Sequence, residues 1–256
     1  MFPDEIIFGI TLYDAFLCLG IISSVVVYDI YLSKREIPLK VKNFYLICGV
    51  FSIIFGLFGA ELFQSVFNYI KSGVFVFGGL TFYGGIISGA VAFFTVVLIF
   101  GKLYFKENEH EKYFGEVLEV VPCCITVAHA LGRIGCLTAG CCHGYETNSA
   151  HGVFMYVNEN PSGGYYVPTQ LYEAIFLICL FIVLSCLYFK NGKTNFAVYL
   201  IAYGVWRFII EFVRGDERGA FITGLTPAQA ISIIAVVIGL IIVFVKIVKI
   251  KKQTDC

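Results

Sequence analysis

Arginine is scarce in this chain, and four of its five copies, Arg133, Arg207, Arg214 and Arg218, gather on one predicted face of an apolar protein, while nearly all the lysines lie on the other. A guanidinium held inside a bilayer costs roughly 2.5 to 3.5 kcal/mol unless it is paired or used. Its planar fork of donors matches the oxygens of a phosphate or a carboxylate. This placement predicts an anionic ligand among the arginines.

The densest constellation is His129-Ala130-Leu131-Gly132-Arg133-Ile134-Gly135-Cys136, continuing through Gly140, Cys141, Cys142, His143 and Gly144. Glycines beside Arg133 let backbone approach a bulky ligand and offer amide N–H groups to anionic oxygens. The competing reading is an interfacial arginine that snorkels to water, with glycines used for helix packing. A second constellation, Tyr203, Arg207, Glu211 and Arg214, falls at helical spacing and predicts one polar stripe. Arg207 is seven residues deeper than Arg214, about 10 Å at 1.5 Å per residue, which strains simple snorkelling. An Arg207–Glu211 pair that ties helices together is the structural alternative. A third segment, Pro168-Thr169-Gln170-Leu171-Tyr172-Glu173, opens a helix and places Gln170 and Glu173 on an adjoining face, although capping explains part of it. In a fourth, Gly78-Gly79-Leu80-Thr81-Phe82-Tyr83-Gly84-Gly85, glycine pairs bracket Tyr83, and Gly85 with Gly89 suits a packing face.

Cys136, Cys141, Cys142 and His143 offer soft ligands within eight residues. The spacing lacks the second short pair of a zinc ribbon, so no metal is expected. A disulfide between adjacent Cys141 and Cys142 is disfavoured, because a trans peptide sets their Cα atoms at about 3.8 Å. Pairing of Cys136 with either remains open. Cys18, Cys48, Cys179 and Cys186 read as small buried hydrophobes.

The elements that must carry these residues follow from composition. With 59% hydrophobic and 14% charged residues and a mean hydropathy of +0.84, this is an all-α polytopic membrane protein rather than a soluble one. Apolar runs at about 12–32, 43–70, 80–105, 114–131, 168–190, 195–214 and 227–248 give seven spans, each near the 20 or so residues that cross the hydrocarbon. The fourth is the weakest by hydropathy, carrying Glu116, Glu119, Pro122 and His129. Charge parity favours it. With seven crossings and an outer N-terminus, 13 of the 18 basic residues fall in inner loops, as the positive-inside tendency requires. The C-terminus is then cytoplasmic and the motif-bearing face outward. The first residues carry Asp4 and Glu5 but no basic n-region, so the first span is expected to be retained. The chain reads as a single integral-membrane domain, 1–256, with a small outward head at about 133–167. Net charge near zero gives no case for nucleic acid.

Taken in order, Gly-Gly-Leu-Thr-Phe-Tyr-Gly-Gly (78–85), Gly-Arg-Ile-Gly-Cys (132–136) with Gly140 and Gly144, Pro-Thr-Gln-Leu-Tyr-Glu (168–173) and Tyr-Gly-Val-Trp-Arg-Phe-Ile-Ile-Glu-Phe-Val-Arg (203–214) resemble the prolipoprotein diacylglyceryl transferases of bacterial cytoplasmic membranes. The resemblance implies transfer of the diacylglyceryl group of phosphatidylglycerol to the lipobox cysteine thiol of a prolipoprotein, with no cofactor. It implies that Arg133 holds the lipid phosphate and Arg207 assists its departure, with Tyr203 and Glu211 completing a second clamp. Gly132, Gly135, Gly140, Gly144, Gln170, Tyr172, Glu173 and Arg214 would complete the substrate-binding set.

Where family members commonly carry a histidine, this chain has Tyr83; Cys136, Ala139 and Cys141 stand where polar residues are common. A tyrosine with an ordinary pKa near 10 is a poor base at neutral pH, so His129 becomes the candidate proton acceptor and Tyr83 a hydrogen-bond partner. The substituted cysteines motivate two alternatives: the same lipid clamp acting on another acceptor, or a non-catalytic lipid-binding or thiol-redox membrane protein using Cys136, Cys141 and Cys142.

Overall fold

The computed structural model describes residues 9–73, 75, 77, 82–157, 160–215 and 225–254. Arg218 and residues 78–81 of the glycine-bracketed motif lie outside the described residues, as does the side chain of Tyr83. Seven helices are long and apolar enough to cross a membrane. They are α1 (Leu12–Lys34), α2 (Leu39–Ser72), α3 (Phe82–Tyr104), α4 (Glu109–Ala139), α5 (Thr169–Phe189), α6 (Asn195–Ile210) and α7 (Pro227–Thr254). Each span expected from hydropathy has its helix, and the fourth is a continuous one that carries Pro122 inside it.

The chain divides into two compact units, one of residues 32–117 and the other of 1–31 with 118–256. In the first, α2 and α3 pack through small residues. A Cβ on Gly85 would meet Ala60 Cβ at 3.4 Å, one on Gly89 would meet Ser52 O at 3.1 Å, and Ser52 Oγ donates to Gly89 O at 2.8 Å. Gly85 and Gly89 thus form the packing face that was the plain reading of that motif.

The second unit carries the arginine-bearing elements. α1 opens with a capping box: Thr11 N–H and Oγ1 donate to Asp14 Oδ2 at 3.0 and 2.7 Å, and Asp14 N–H returns a bond to Thr11 Oγ1 at 3.3 Å. Its Gly20 lies against the Ala128 backbone of α4, and Gly135 of α4 lies against Tyr13 and Phe16 of α1. α6 meets α7 in the same way, with Gly204 against Ser232 and Val236 and Gly239 against Ala197 and Ile201. In an apolar solvent close backbone approach is what holds helices together, and glycine permits it.

Two expectations need correction here. The head was placed from Arg133, but α4 continues to Ala139, so Arg133, Gly135 and Cys136 are helical and their backbone N–H groups belong to the helix ladder. Glycine lowers helix propensity by about 1 kcal/mol, which made this stretch look like loop, and packing of Gly135 on α1 offsets that. The helix ends where Gly140 adopts φ +70°, in a place where any Cβ would strike Tyr156 O. Beyond it the head folds as a hairpin of β1 (Val153–Val157) and β2 (Asn160–Tyr166), antiparallel with Val153 opposite Tyr166, rather than as turns alone. Met155, Val157 and Tyr166 bury its inner face.

Candidate functional site

Glu173 is the hub. It lies one turn into α5 and is fully buried, and side chains from two other helices close on its two oxygens. Arg133 Nε approaches Oε2 at 2.9 Å, the Tyr203 hydroxyl donates to Oε1 at 3.1 Å, and His129 Nε2 stands 3.7 Å from Oε1. His129 and Arg133 reach the same carboxylate because four residues on α4 bring side chains onto one face. The His129 and Tyr203 rings meet edge to face at 5.5 Å, and Tyr203 stacks on Tyr199, one turn below on α6, at 5.6 Å.

One turn further along α6, Arg207 Nη2 pairs with Glu211 Oε2 at 2.8 Å. Glu211 Oε1 accepts from the Thr226 hydroxyl at 3.0 Å. Thr226 is also the N-cap of α7: Gln229 N–H donates to Thr226 Oγ1 at 3.3 Å and Thr226 N–H to Gln229 Oε1 at 3.0 Å. The start of α7 is thereby docked onto the carboxylate that holds Arg207. Sequence reasoning missed Thr226, although Thr226-Pro-Ala-Gln229 is a legible capping signature with proline at the first helical position. Beside it, the Phe176 and Trp206 rings stack at 4.5 Å and 5°, locking α5 to α6. Arg207 Nη1 and Trp206 Nε1 are buried donors with no acceptor among the described residues.

Arg133 and Arg207 lie close enough to the same two side chains, His129 and Tyr203, to act on both electrostatically. The expected helical stripe is shorter than its spacing suggested. α6 gives way to a tight turn at Glu211–Val213, and Arg214 is extended with φ −74° and ψ 140°. Backbone pairing to the head draws it off the helix, since Gly144 bridges Arg214 and Tyr145 N–H donates to Val213 O at 3.3 Å.

The remaining residues of the expected set separate by surroundings. Gly132 faces open space, with no atom within 4 Å of a Cβ placed there. Gly135, Gly140 and Gly144 are packed, Gly144 against Val213 O and Val167. Gln170 is fully buried beneath the cysteine loop, its Nε2 donating to Cys141 O at 2.6 Å, while Thr169 Oγ1 donates to Cys142 O at 2.9 Å. Tyr172 is half-buried on α5. Cys136, Cys141 and Cys142 are free thiols whose sulfurs lie within 4.8 Å of one another. Thiol donors from Cys136 and Cys141 hold the Cys142 thiol below the ordinary thiol range, and the Arg214 and Arg133 guanidiniums add to that; Cys141 is pushed up by its contacts with Cys136 and Cys142.

A family model described as prolipoprotein diacylglyceryl transferase matches residues 5–245. A phosphatidylglycerol--prolipoprotein diacylglyceryl transferase of Clostridium tetani is 31% identical over 92% of this chain and 94% of its own length. A second such enzyme, from Clostridium perfringens, is 34% identical over 69% of this chain and 66% of its own, and one from Clostridium novyi is 28% identical over 93% and 92%. A match over nearly the whole length, joined to ordered motifs of which two supply arginines paired with buried carboxylates, Arg133 with Glu173 and Arg207 with Glu211, places the chain in the prolipoprotein diacylglyceryl transferase family.

Proposed function

We propose that this transferase moves the diacylglyceryl group of phosphatidylglycerol onto the lipobox cysteine thiol of a prolipoprotein, in a bacterial cytoplasmic membrane and on its outer face. The substrates follow from those of its relatives. The outward orientation is supported by the lysine-rich loops on the opposite side. The observation that carries the chemistry is a pair of guanidiniums, each paired with a buried carboxylate, with Arg207 Nη1 left over as a buried donor among the described residues.

In this reading Arg133, fixed by Glu173, holds the phosphate, and Gly132 beside it leaves room for the headgroup. The substrate sulfur attacks the glyceryl carbon: the C–S bond forms, the C–O bond to phosphate breaks, and glycerol phosphate departs with the bonding pair. Negative charge therefore grows on the leaving oxygens, and a preorganised cation there lowers the barrier. Arg207 Nη1 fills that role, while Glu211 and the Tyr203 hydroxyl keep both arginines in register. The thiol proton goes to His129, whose ring is oriented by Glu173. A thiol of pKa near 8.5 needs only about 2 kcal/mol to ionise at pH 7, so a modest acceptor suffices. An open apolar cleft of about 230 Å³ between α6 and α7, lined by Val205, Phe208, Ile209, Ile233 and Val237, suits an acyl chain entering from the lipid phase.

The test is direct. Purified protein, phosphatidylglycerol vesicles and a lipobox peptide are incubated and the peptide is weighed. A diacylglyceryl mass increment that disappears in Arg133→Ala supports the reading, and binding of lipid with no increment in the native protein defeats it.

A further inference from the structure

Cys136, Cys141 and Cys142 take no part in the phosphate clamp, yet the fold brings their sulfurs together on one side of a loop. Cys136 sits one turn beyond Arg133 on α4, and Gly140, with φ +70°, reverses the chain so that Cys141 N–H bonds back to Cys136 O at 3.1 Å. Side chains of adjacent residues in extended backbone point to opposite sides. Here Cys142 has φ +61°, and its sulfur joins those of Cys141 and Cys136 within 4.8 Å. For a residue other than glycine that conformation costs about 1 to 2 kcal/mol. One sulfur helps to anchor the loop, since Cys141 Sγ donates to Cys136 O at 3.7 Å, but the shorter anchoring bonds do not involve the sulfurs. Gln170 and Thr169 hold the carbonyls of Cys141 and Cys142, and bonds of that kind form whatever the side chains are. Convergence of three thiols is thus a property of this site beyond what the loop needs for its shape.

We propose that Cys136, Cys141 and Cys142 form a three-thiolate site for a thiophilic d10 cation of the zinc class, with an oxygen ligand such as water in the fourth position. At a Zn–S distance of about 2.3 Å, tetrahedral geometry sets sulfurs about 3.8 Å apart, so the cluster needs to contract by no more than about 1 Å. Soft thiolate ligands select such cations over magnesium or calcium. One divalent ion on three thiolates gives a centre of net charge −1, the remaining S–H protons leaving to solvent. The Arg133 and Arg214 guanidiniums, which already act on Cys142, offset that charge. All three cysteines are half-buried, so an ion can reach them. Sequence spacing argued against a metal because no second Cys pair follows; the left-handed turn at Cys142 supplies the third ligand instead.

The test uses full-length protein in detergent, reduced with a phosphine and freed of metal. Cadmium titration, followed by thiolate-to-metal absorption, is expected to give one ion per chain, displaced by zinc, with two to three protons released at neutral pH. Cys136→Ser, Cys141→Ser and Cys142→Ser each lower the affinity more than about a hundredfold, beyond the roughly ten- to hundredfold that loss of an outer partner costs, and the triple variant, still monodisperse and cooperatively melting, binds none. An unchanged absorption band in that triple variant overturns the proposal by assigning the ion to other thiols. Absence of binding to the native chain does the same, as does a disulfide joining two of the three cysteines in protein isolated without oxygen.

Discussion

Two buried carboxylates, Glu119 and Glu173, sit in the same apolar unit and do different things. Glu119 lies on α4, about 21 Å along the helix from Arg133 at 1.5 Å per residue. It accepts from the Asn195 N–H at 2.5 Å and from Lys246 Nζ at 3.2 Å, while the Asn195 amide donates to Glu119 O and, at 2.9 Å, to Leu184 O. One carboxylate and one ammonium balance, and α4, α5, α6 and α7 are tied together through these donor–acceptor pairs, Asn195 Oδ1 being left as an acceptor with no donor among the described residues. At the Glu173 end the accounting differs. Two carboxylates organise guanidiniums whose fan of donors is larger than they can fill, and Arg207 Nη1 and Trp206 Nε1 stay without acceptors among the described residues. Buried charge by itself therefore says little in this molecule. Buried donors without acceptors among the described residues are what point to an anion.

The comparison breaks most easily at Arg133. Arg133→Ala is expected to lower kcat/KM for lipobox-peptide modification by about 10² to 10³, the usual effect of losing one preorganised donor. Arg133→Lys recovers little, because a single ammonium cannot both pair with Glu173 and fork onto phosphate. Leaving Glu173 buried without a cation also destabilises the fold. The double change Arg133→Ala with Glu173→Gln separates the two effects: thermal stability returns and transfer does not.

Glu119→Gln is the matched experiment at the other end. It is expected to cost about 2 to 3 kcal/mol in stability, at or just below the low end for a buried pair, since Lys246 is a third exposed and can turn to water. Turnover per folded molecule stays at the native value. Loss of transfer in folded Glu119→Gln would erase the distinction between a tie and a site.

A smaller effect divides the two arginines. Arg207→Lys keeps a cation for Glu211 but removes the second arm, and kcat is expected to fall about tenfold with KM for the lipid little changed, the signature of an interaction made mainly in the transition state. Arg133→Lys shifts both. Equal changes in KM for the two variants would mean that they grip the same ground-state phosphate.

Much of this arrangement was legible before any coordinates. Seven runs of membrane length announce their helices because a bilayer leaves no other way to satisfy the backbone. Arg207 and Glu211 meet because four residues on a helix bring side chains together, a local relation that spacing carries. What spacing could not carry was long-range. Helical periodicity ran Arg214 on past Ile210, whereas pairing with Gly144 of the head pulls it straight. Gly135 read as loop because its partner, the α1 surface at Tyr13 and Phe16, is more than a hundred residues away. Glu173 stood in the expected set only as one member of a motif, and nothing local says that α4 and α6 both converge on it. The positive φ at Cys142, which decides where three sulfurs point, has no signature in a Cys-Cys dipeptide.

The finest test falls on Gly132, the one glycine of the motif with empty space where its side chain would be. A methyl group there meets no atom of another described element, and alanine is favoured over glycine inside a helix by about 1 kcal/mol, so Gly132→Ala is expected to raise the melting temperature by a few degrees. If the space beside Arg133 is where the headgroup sits, the same methyl crowds it and KM for phosphatidylglycerol rises about two- to fivefold, within the range of a single misplaced methylene. Stability and affinity then move in opposite directions from one substitution. A structural glycine would instead lose stability with its Cβ, as Gly140→Ala should at φ +70° against Tyr156 O. A Gly132→Ala protein that is more stable and binds lipid as tightly as before would leave Arg133 in place but move the phosphate to another side of it.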